Sequence, residues 1–202
     1  MTICVATSNA GKLRDFRAAA AAYPHMTIEP LPGLADIAAP PENEPSFEGN
    51  ARTKAIYYSR LAPGTWVIAD DSGLEVDALE GRPGVRSARF SEDVGIPASE
   101  GGLDEANNTA LTLAMLEQTN RAARYRCALA LASDGTVELV TFGKLEGEIL
   151  QEAECAGGFG YDPLFYVPEL GCTMAQAGLE DRMRVSHRGR ALAALLRQWR
   201  KC

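Results

Sequence analysis

The sequence predicts an α/β fold, and three features carry that prediction. Short apolar runs rich in β-branched residues, such as residues 2–7 and 66–69, indicate buried strands. Apolar residues at helical spacing follow the first of these runs. Two alternating runs joined by Ser133-Asp134-Gly135 indicate a β-hairpin. The 202 residues, 46% of them hydrophobic, can bury a core, and no repeat or linker divides them, so we expect one domain, 1–202.

In the first half of the chain, strands are predicted at residues 2–7 and 26–31, with a helix between them. A Pro-rich, acidic loop follows at residues 32–45, and loops of this length inside a compact domain often have a function. The next helix is expected to begin after Ser46, which can cap it, and to run to about Arg60.

The apolar run from Trp66 stops at two adjacent carboxylates, Asp70 and Asp71, so we expect them at the end of a buried strand, next to a ligand crevice. Neighbouring residues of a strand point to opposite faces, so the two acids should have different roles. A turn is the alternative, because Asp-Asp-Ser-Gly is also typical of turns. On the preceding helix, Asn50 and Lys54 share a face, which in most helices is solvated.

The second half predicts a half-buried strand, a helix, the hairpin, two short strands and a final helix capped by Ser186. These elements are expected at residues 74–78, 107–118, 125–132 with 136–145, 147–150, 164–167 and 187–200.

Composition excludes several classes of protein. The net charge is −7, with 20 Lys and Arg against 27 Asp and Glu, which argues against a nucleic-acid polymer or an anionic membrane as partner. No apolar run reaches the roughly 18 to 20 residues that span a bilayer. The start of the chain lacks the charged lead of a signal peptide, so we expect a cytoplasmic protein.

The cysteines and histidines restrict the metal chemistry. Five widely spaced cysteines fit neither a disulfide framework nor a thiolate zinc site, and two histidines cannot build a His-rich site. A catalytic metal would therefore need oxygen ligands, and oxygen ligands are typical of magnesium.

Three loops carry candidate binding residues. The turn from Thr7 to Lys12 joins a strand to a helix N-terminus, which favours anions, although an ordinary loop with Ser8 or Asn9 as helix cap has the same pattern. The Gly-rich loop 157–163 should expose two aromatic residues and an acid, and an aromatic side chain there could stack on a base or face the core. Ser186-His187-Arg188 opens the last helix, where backbone amides can face polar ligand atoms.

Together these motifs resemble the inosine triphosphate pyrophosphatase family, which acts on non-canonical purine nucleoside triphosphates such as ITP, dITP and XTP. The resemblance covers nearly the whole chain. It rests on Thr7-Ser8-Asn9-Ala10-Gly11-Lys12, Ser46-Phe47-Glu48-Gly49-Asn50-Ala51-Arg52-Thr53-Lys54-Ala55, Ala69-Asp70-Asp71-Ser72-Gly73-Leu74, Gly157-Gly158-Phe159-Gly160-Tyr161-Asp162-Pro163 and Ser186-His187-Arg188-Gly189.

The resemblance implies a two-lobed α/β domain around a long mixed β-sheet flanked by helices. It also implies a homodimer and Mg²⁺-dependent hydrolysis of the substrate to the nucleoside monophosphate and pyrophosphate. Asp71 would be the proton acceptor and a metal ligand, with Glu42 or Glu44 as the second ligand. The other matching residues would bind substrate: the triphosphate at Thr7, Ser8, Asn9, Ala10, Gly11 and Lys12, the base at Phe159, Gly160, Tyr161, Asp162, His187 and Arg188, with Ser72 also in contact.

Two positions depart from the family pattern. Gly49 replaces the usual glutamate of the second motif, and Arg182 replaces a substrate-contacting lysine. Arginine keeps the charge but changes the donor geometry, so base preference is less firmly implied than the chemistry. The sequence is also compatible with two alternatives to the purine activity: a pyrophosphatase for other damaged nucleotides, and a non-catalytic nucleotide-binding protein.

Overall fold

The structure, a computed structural model, describes residues 2–98, 101–155 and 157–199. Its strands are β1 (Thr2–Val5), β2 (Thr27–Pro30), β3 (Val67–Val76), β4 (Ala122–Ser133), β5 (Thr136–Ile149), β6 (Phe165–Val167) and β7 (Cys172–Thr173). Its α-helices are α1 (Ala10–Ala20), α2 (Phe47–Leu61), α3 (Phe90–Asp93), α4 (Gly102–Ala114), α5 (Leu179–Val185) and α6 (His187–Trp199). Short 3₁₀ helices lie at Leu34–Asp36, Asp77–Leu79 and Gly84–Arg89.

The seven strands form one mixed sheet in the order β2-β1-β3-β4-β5-β6-β7. Strand β1 pairs in parallel with β2 and β3, whereas β6 pairs antiparallel with β5 and β7. This arrangement confirms the predicted α/β class and the mixed sheet. No helix among the described residues is long and apolar enough to cross a membrane.

The chain divides into two compact units. Of the described residues, the first unit contains those up to Ser72, Arg126–Lys144 and those from Met183 onwards. The second contains those from Gly73 to Tyr125 and from Leu145 to Arg182.

Among the described residues of the first unit, two apolar clusters lie on opposite faces of its strands, because strand side chains alternate. Ile3 and Ile68 belong to the cluster that includes Phe16 of α1 and Leu192 of α6. The other cluster contains Cys4, Val67 and Ala69, together with Ala51 and Ala55 of α2. Helices α1 and α6 therefore cover one face of these strands, and α2 covers the opposite face.

In the second unit, side chains from its strands and from α4 form the buried core. Its buried apolar residues include Leu74, Val76, Ala106, Leu111, Met115, Tyr125, Ile149, Leu164 and Phe165. The rings of Tyr125 and Phe165 lie 4.3 Å apart between centroids and fix the position of the start of β6 against β4.

Several element boundaries differ from the predictions. The predicted strand end at Asp70 and Asp71 is wrong, because β3 continues through both acids and absorbs the separate strand predicted at 74–78. Helix α4 begins at Gly102, earlier than predicted, and the strand predicted at 147–150 continues β5 to Ile149. Strand β7 and helix α5 had no sequence prediction.

Candidate functional site

Strand β3 places its two acids on opposite faces, as predicted from the alternation of side chains. Asp70 has the parity of Ile68 and points toward α1 and α6, and Asp71 has the parity of Ala69 and points toward α2. Both residues are buried, at 4% and 7% exposure. Buried carboxylates need charged or hydrogen-bonding partners, and each acid has its own set.

Asp70 collects polar groups from three elements of the first unit. Its Oδ2 lies 2.8 Å from the Nζ of Lys12 and accepts a hydrogen bond of 3.0 Å from the Oγ of Ser72. Arg188 donates to the same Oγ at 2.9 Å, and its Nε lies 3.8 Å from Asp70. Burial alone would raise the pKa of Asp70. The positive charges of Lys12 and Arg188 lower that pKa by more, so the net pKa lies well below its ordinary value. Asp70 is therefore ionised at neutral pH and holds these three side chains together.

Asp71 faces a different group of residues, on helix α2. Lys54 Nζ lies 3.0 Å from one carboxylate oxygen, and Asn50 Nδ2 donates to the other at 3.0 Å. Burial raises the pKa of Asp71 by more than Lys54 and Asn50 lower it, so the net pKa lies above that of an ordinary carboxyl group. A carboxylate with a raised pKa is a better proton acceptor, which suits a general base.

Lys54 joins Asp71 to the acidic loop, because the same Nζ lies 2.8 Å from Glu42 Oε1. Burial lowers the pKa of Lys54, but the neighbouring carboxylates raise it more, so this lysine stays charged. Glu42 and Asp71 therefore approach the same positive charge. Two carboxylate oxygens of this kind are the ligand type that Mg²⁺ uses, so these residues fit a magnesium site. The described residues contain no cluster of three or more Asp, Glu, His and Cys able to hold a metal.

Glu44, the alternative acid of the loop, lies against the first turn of α2. Its backbone N–H donates to Asn50 Oδ1 at 3.1 Å. A Cβ added at Gly49 would lie 2.7 Å from the Cβ of Glu44, closer than real Cβ contacts. The glycine at this position thus lets the acidic loop pack directly on the helix, and the side chain of Glu44 covers it.

The turn from Thr7 to Lys12 forms a capped helix N-terminus. Thr7 Oγ1 accepts from the backbone N–H of Asn9 at 3.2 Å, and Asn9 Oδ1 accepts from the N–H of Lys12 at 3.0 Å. Asn9 is thus the N-cap, one of the two residues that the sequence proposed for it. Ser8, Ala10 and Gly11 complete the turn at the start of α1, where the positive end of the helix dipole favours anions.

At the start of α6, Ser186 is confirmed as the cap, since its Oγ accepts from the N–H of Gly189 at 2.9 Å. His187 and Arg188, the next two residues, are both buried within the first unit. Arg188 Nη1 lies 3.4 Å from Asp15 Oδ2 on α1, so acids on two elements orient this guanidinium.

In the second unit, the Gly-rich loop is organised around the buried side chain of Asp162. Its Oδ2 accepts from Arg182 Nη2 at 2.8 Å and from the backbone N–H of Phe159 at 3.1 Å, and its Oδ1 accepts from the hydroxyl of Tyr125 at 3.1 Å. Arg182, 7% exposed, also donates to the carbonyl of Met174 at 2.9 Å. The arginine that departs from the family pattern therefore neutralises Asp162 and ties the loop to the unit.

The side chains of this loop do not all protrude, and that part of the prediction is wrong. Tyr161 is buried, its hydroxyl donates to the carbonyl of Ser87 at 2.7 Å, and burial raises its pKa. Asp162 is buried as well, because it has the partners needed to hold its charge. Phe159 is half-buried and borders a cleft of about 770 Å³ in the second unit. That cleft is lined by α4 residues such as Asp104, Asn108 and Thr109 and by the loop itself.

The structure thus brings Lys12, Ser72 and Arg188 together at Asp70, and brings Glu42 to the lysine that binds Asp71. Sequence reasoning missed that lysine and Asn50, because it treated their shared face as solvated; both are buried. The signal that could have found them is their position beside Ala51 and Ala55, the buried apolar stripe of the same helix.

Comparison with known proteins relates the whole chain to one group. The dITP/XTP pyrophosphatase of Acidobacterium capsulatum is 54% identical over 197 residues, covering 97% of each chain. The protein of the same name from Geobacter sulfurreducens is 45% identical over 198 residues, covering 96% of this chain and 94% of its own.

Solved structures agree with this relationship. The Ham1 protein of Staphylococcus aureus superposes with a TM-score of 0.81 at 35% identity, covering 100% of this chain and 99% of its own. A HAM1 protein from Coxiella burnetii gives a TM-score of 0.82 at 29% identity and covers 100% of both chains. A sequence model of the Ham1 family matches residues 3–198, and the chain therefore belongs to the Ham1 family.

Proposed function

We propose that this chain hydrolyses the non-canonical purine nucleoside triphosphates ITP, dITP and XTP to the monophosphate and pyrophosphate. The activity removes such nucleotides from the cellular pool. One observation carries the proposal: Asp71, a buried carboxyl group with a raised pKa, is held by Lys54 and Asn50. This arrangement occurs in a chain that is 54% identical to a protein named dITP/XTP pyrophosphatase.

In this proposal, Asp71 accepts a proton from the attacking water. Glu42 and Asp71 would hold Mg²⁺, which supplies charge neutralisation on the phosphate oxygens when it is bound. The contacts favour Glu42 over Glu44 for this role, because Glu42 and Asp71 contact the same ammonium group. Lys54 contacts both carboxylates and holds them in place.

The remaining residues divide into phosphate and base contacts. We assign the triphosphate to the N-terminus of α1, from Thr7 to Lys12, with Ser72 in contact beside Lys12. Phe159, Gly160, Tyr161 and Asp162 are assigned to the base, with stacking by Phe159, and His187 and Arg188 to its 6-oxo edge. Arg182 serves the same loop through its ion pair with Asp162. A 6-amino purine would leave polar groups of the protein unpaired, and this can cost several kcal/mol.

The test is pyrophosphate release from ITP, dITP, XTP, GTP, ATP and dUTP, with Mg²⁺ and with a chelator. We expect Mg²⁺-dependent turnover, with kcat/KM for ITP and XTP at least about 100-fold above that for ATP. Equal rates for ITP and ATP would refute the specificity, and a preference for dUTP would favour a pyrophosphatase for other damaged nucleotides. Nucleotide binding without hydrolysis would indicate a non-catalytic binding protein.

The matched variants are Asp71→Asn and Glu48→Gln. Asp71→Asn should lower kcat by at least about 1,000-fold, because an amide cannot accept the proton. Glu48 is an exposed carboxylate on the same helix as Lys54, paired with Arg52, and its replacement should leave turnover unchanged. Retained activity in Asp71→Asn would remove Asp71 from the catalytic role.

We also propose that the protein is a cytoplasmic homodimer that acts on free nucleotides and not on nucleic acid or membranes. The net charge of −7 supports the absence of a polyanionic partner. Light scattering coupled to size-exclusion chromatography tests the dimer, and a monomeric mass in an active preparation would refute it.

A further inference from the structure

In the second unit, helix α4 holds both backbone polar groups of one residue in the Gly-rich loop, Gly160, and so contacts the peptide units on either side of it. Asp104 Oδ2 accepts from the backbone N–H of Gly160 at 2.7 Å, and Asn108 Nδ2 donates to the carbonyl of the same residue at 2.9 Å. Asp104 and Asn108 are four residues apart, so they lie on one face of the helix. The short distance to a carboxylate marks a charge-assisted hydrogen bond.

Gly160 directly follows Phe159 in the chain. Gly160 has a φ of +60°, a conformation that side chains other than that of glycine rarely adopt. On the other side, the N–H of Phe159 is held by Asp162. The backbone around the phenyl ring is therefore fixed twice: from the buried core by Asp162, and from the cleft by α4.

The contact from α4 is not part of the packed core. Asp104 is exposed, and exposed hydrogen bonds contribute little to global stability. Its effect is local, on a loop whose glycines would otherwise give the backbone wide freedom. Ordering a flexible loop before the ligand arrives removes that entropic cost from binding.

We propose that Asp104 and Asn108 are positioning residues that hold the loop so that Phe159 is ready to stack on the purine base. The part that concerns the base rests on the proposed function. The pair is matched in polarity to its target, an acceptor for the N–H and a donor for the carbonyl. The isosteric variants Asp104→Asn and Asn108→Asp should therefore differ: the first keeps an acceptor for the N–H of Gly160, whereas the second removes the donor to its carbonyl.

The first measurement follows hydrogen exchange of the amides of residues 159–162 without nucleotide. Asp104→Ala and Asn108→Asp should accelerate that exchange by about tenfold, because each loses one hydrogen bond to the backbone of Gly160. Asn108→Asp also brings a carboxylate against a carbonyl oxygen. Asp104→Asn keeps an acceptor and should disturb the loop less than Asp104→Ala. Thr109→Ala, which lines the same cleft, is the control and should exchange like the wild type.

The second measurement is steady-state hydrolysis of ITP. We expect Asp104→Ala and Asn108→Asp to raise KM by about tenfold with kcat changed by less than about twofold. Asp104→Asn should raise KM less than Asp104→Ala, a difference that a general loss of folding would not produce. In a Phe159→Ala background, Asp104→Ala should have little further effect on KM, because the ring that it positions is gone.

The outcomes separate the two claims. Unchanged exchange in both variants overturns the positioning role, even if the wild type shows no activity. Accelerated exchange with an unchanged KM for ITP would show that Asp104 and Asn108 hold the loop but do not serve base binding, and this also overturns the proposal. A wild type that hydrolyses none of the purine triphosphates refutes the proposed function, while the exchange data still decide whether α4 holds the loop.

Discussion

Replacing Lys54 with methionine removes the ammonium group that Asp71 and Glu42 both contact, at 3.0 and 2.8 Å. Methionine keeps most of the apolar stem and therefore fills the same space beside α2. The variant leaves two carboxylates facing a neutral side chain. We expect it to fold but to be clearly less stable than the wild type.

The magnitude follows from the burial of each partner. Breaking a fully buried ion pair costs about 3–5 kcal/mol. Here the Glu42 side chain is 35% exposed, and water relieves part of its loss, while Asp71, with 10% of its side chain exposed, keeps the hydrogen bond from Asn50. We therefore expect a loss of about 2–3 kcal/mol in the free energy of unfolding. For a chain of 202 residues this lowers Tm by about 5–10 °C.

Thermal unfolding followed by circular dichroism in chelator at pH 7 measures this loss. Arg52→Met is the control, because Arg52 pairs with Glu48 at 2.7 Å on the exposed face of the same helix; its Tm should change by less than about 2 °C. Adding Asp71→Asn to Lys54→Met should restore at least about half of the loss, because the uncompensated charge disappears. Equal Tm losses in the Lys54 and Arg52 variants, or no restoration, would refute the reasoning.

Four further predictions concern pH and the Gly-rich loop. The lowered pKa of Asp70 gives a stabilising contribution that is present above the unfolded pKa of about 3.9 and is lost as the pH falls through the folded pKa. Urea unfolding should therefore show the largest deficit of Asp70→Asn at pH 7 and a smaller one below about pH 4. The sign is opposite for Asp71: its raised pKa favours the folded state at low pH, and this contribution is lost as the pH rises. Asp71→Asn should thus lose less stability at pH 7 than Asp70→Asn does, and a deficit equal to that of Asp70→Asn would contradict this. Tyr161→Phe leaves the buried carbonyl of Ser87 without its hydroxyl donor and should lower the free energy of unfolding by about 1–2 kcal/mol in urea titrations; an unchanged value would mean that the bond adds nothing. Phe159→Ala should raise KM for ITP with little change in kcat, and an unchanged KM would exclude base stacking.

Local sequence signals predicted much of the fold. The caps at Ser46 and Ser186 and the hairpin turn at Ser133-Asp134-Gly135 lie where turn and capping chemistry placed them. The opposite orientation of Asp70 and Asp71 followed from the two-residue period of a strand. Each of these features depends on residues close together in the chain, so a window of sequence contains the whole cause.

Features that depend on distant partners were not predictable in this way. Strand β3 continues through its two acids because Lys12 and Lys54, from helices far along the sequence, neutralise them inside the protein. The role of Arg182 likewise depends on Asp162, 20 residues away and on another element. A charged residue in a sequence window predicts exposure, and only the folded chain shows which charges meet.

The lysine between Glu42 and Asp71 gives the protein an internal counter-ion. Where only a bound metal relieves the repulsion between carboxylate ligands, removing the metal destabilises the fold, and in zinc fingers the metal supplies the free energy of folding outright. Here Lys54 relieves that repulsion, so under the proposed function we expect chelation to abolish turnover while the protein stays folded. If the proposed Mg²⁺ dependence holds, metal supply alone would then control catalysis, because the apo protein keeps its fold.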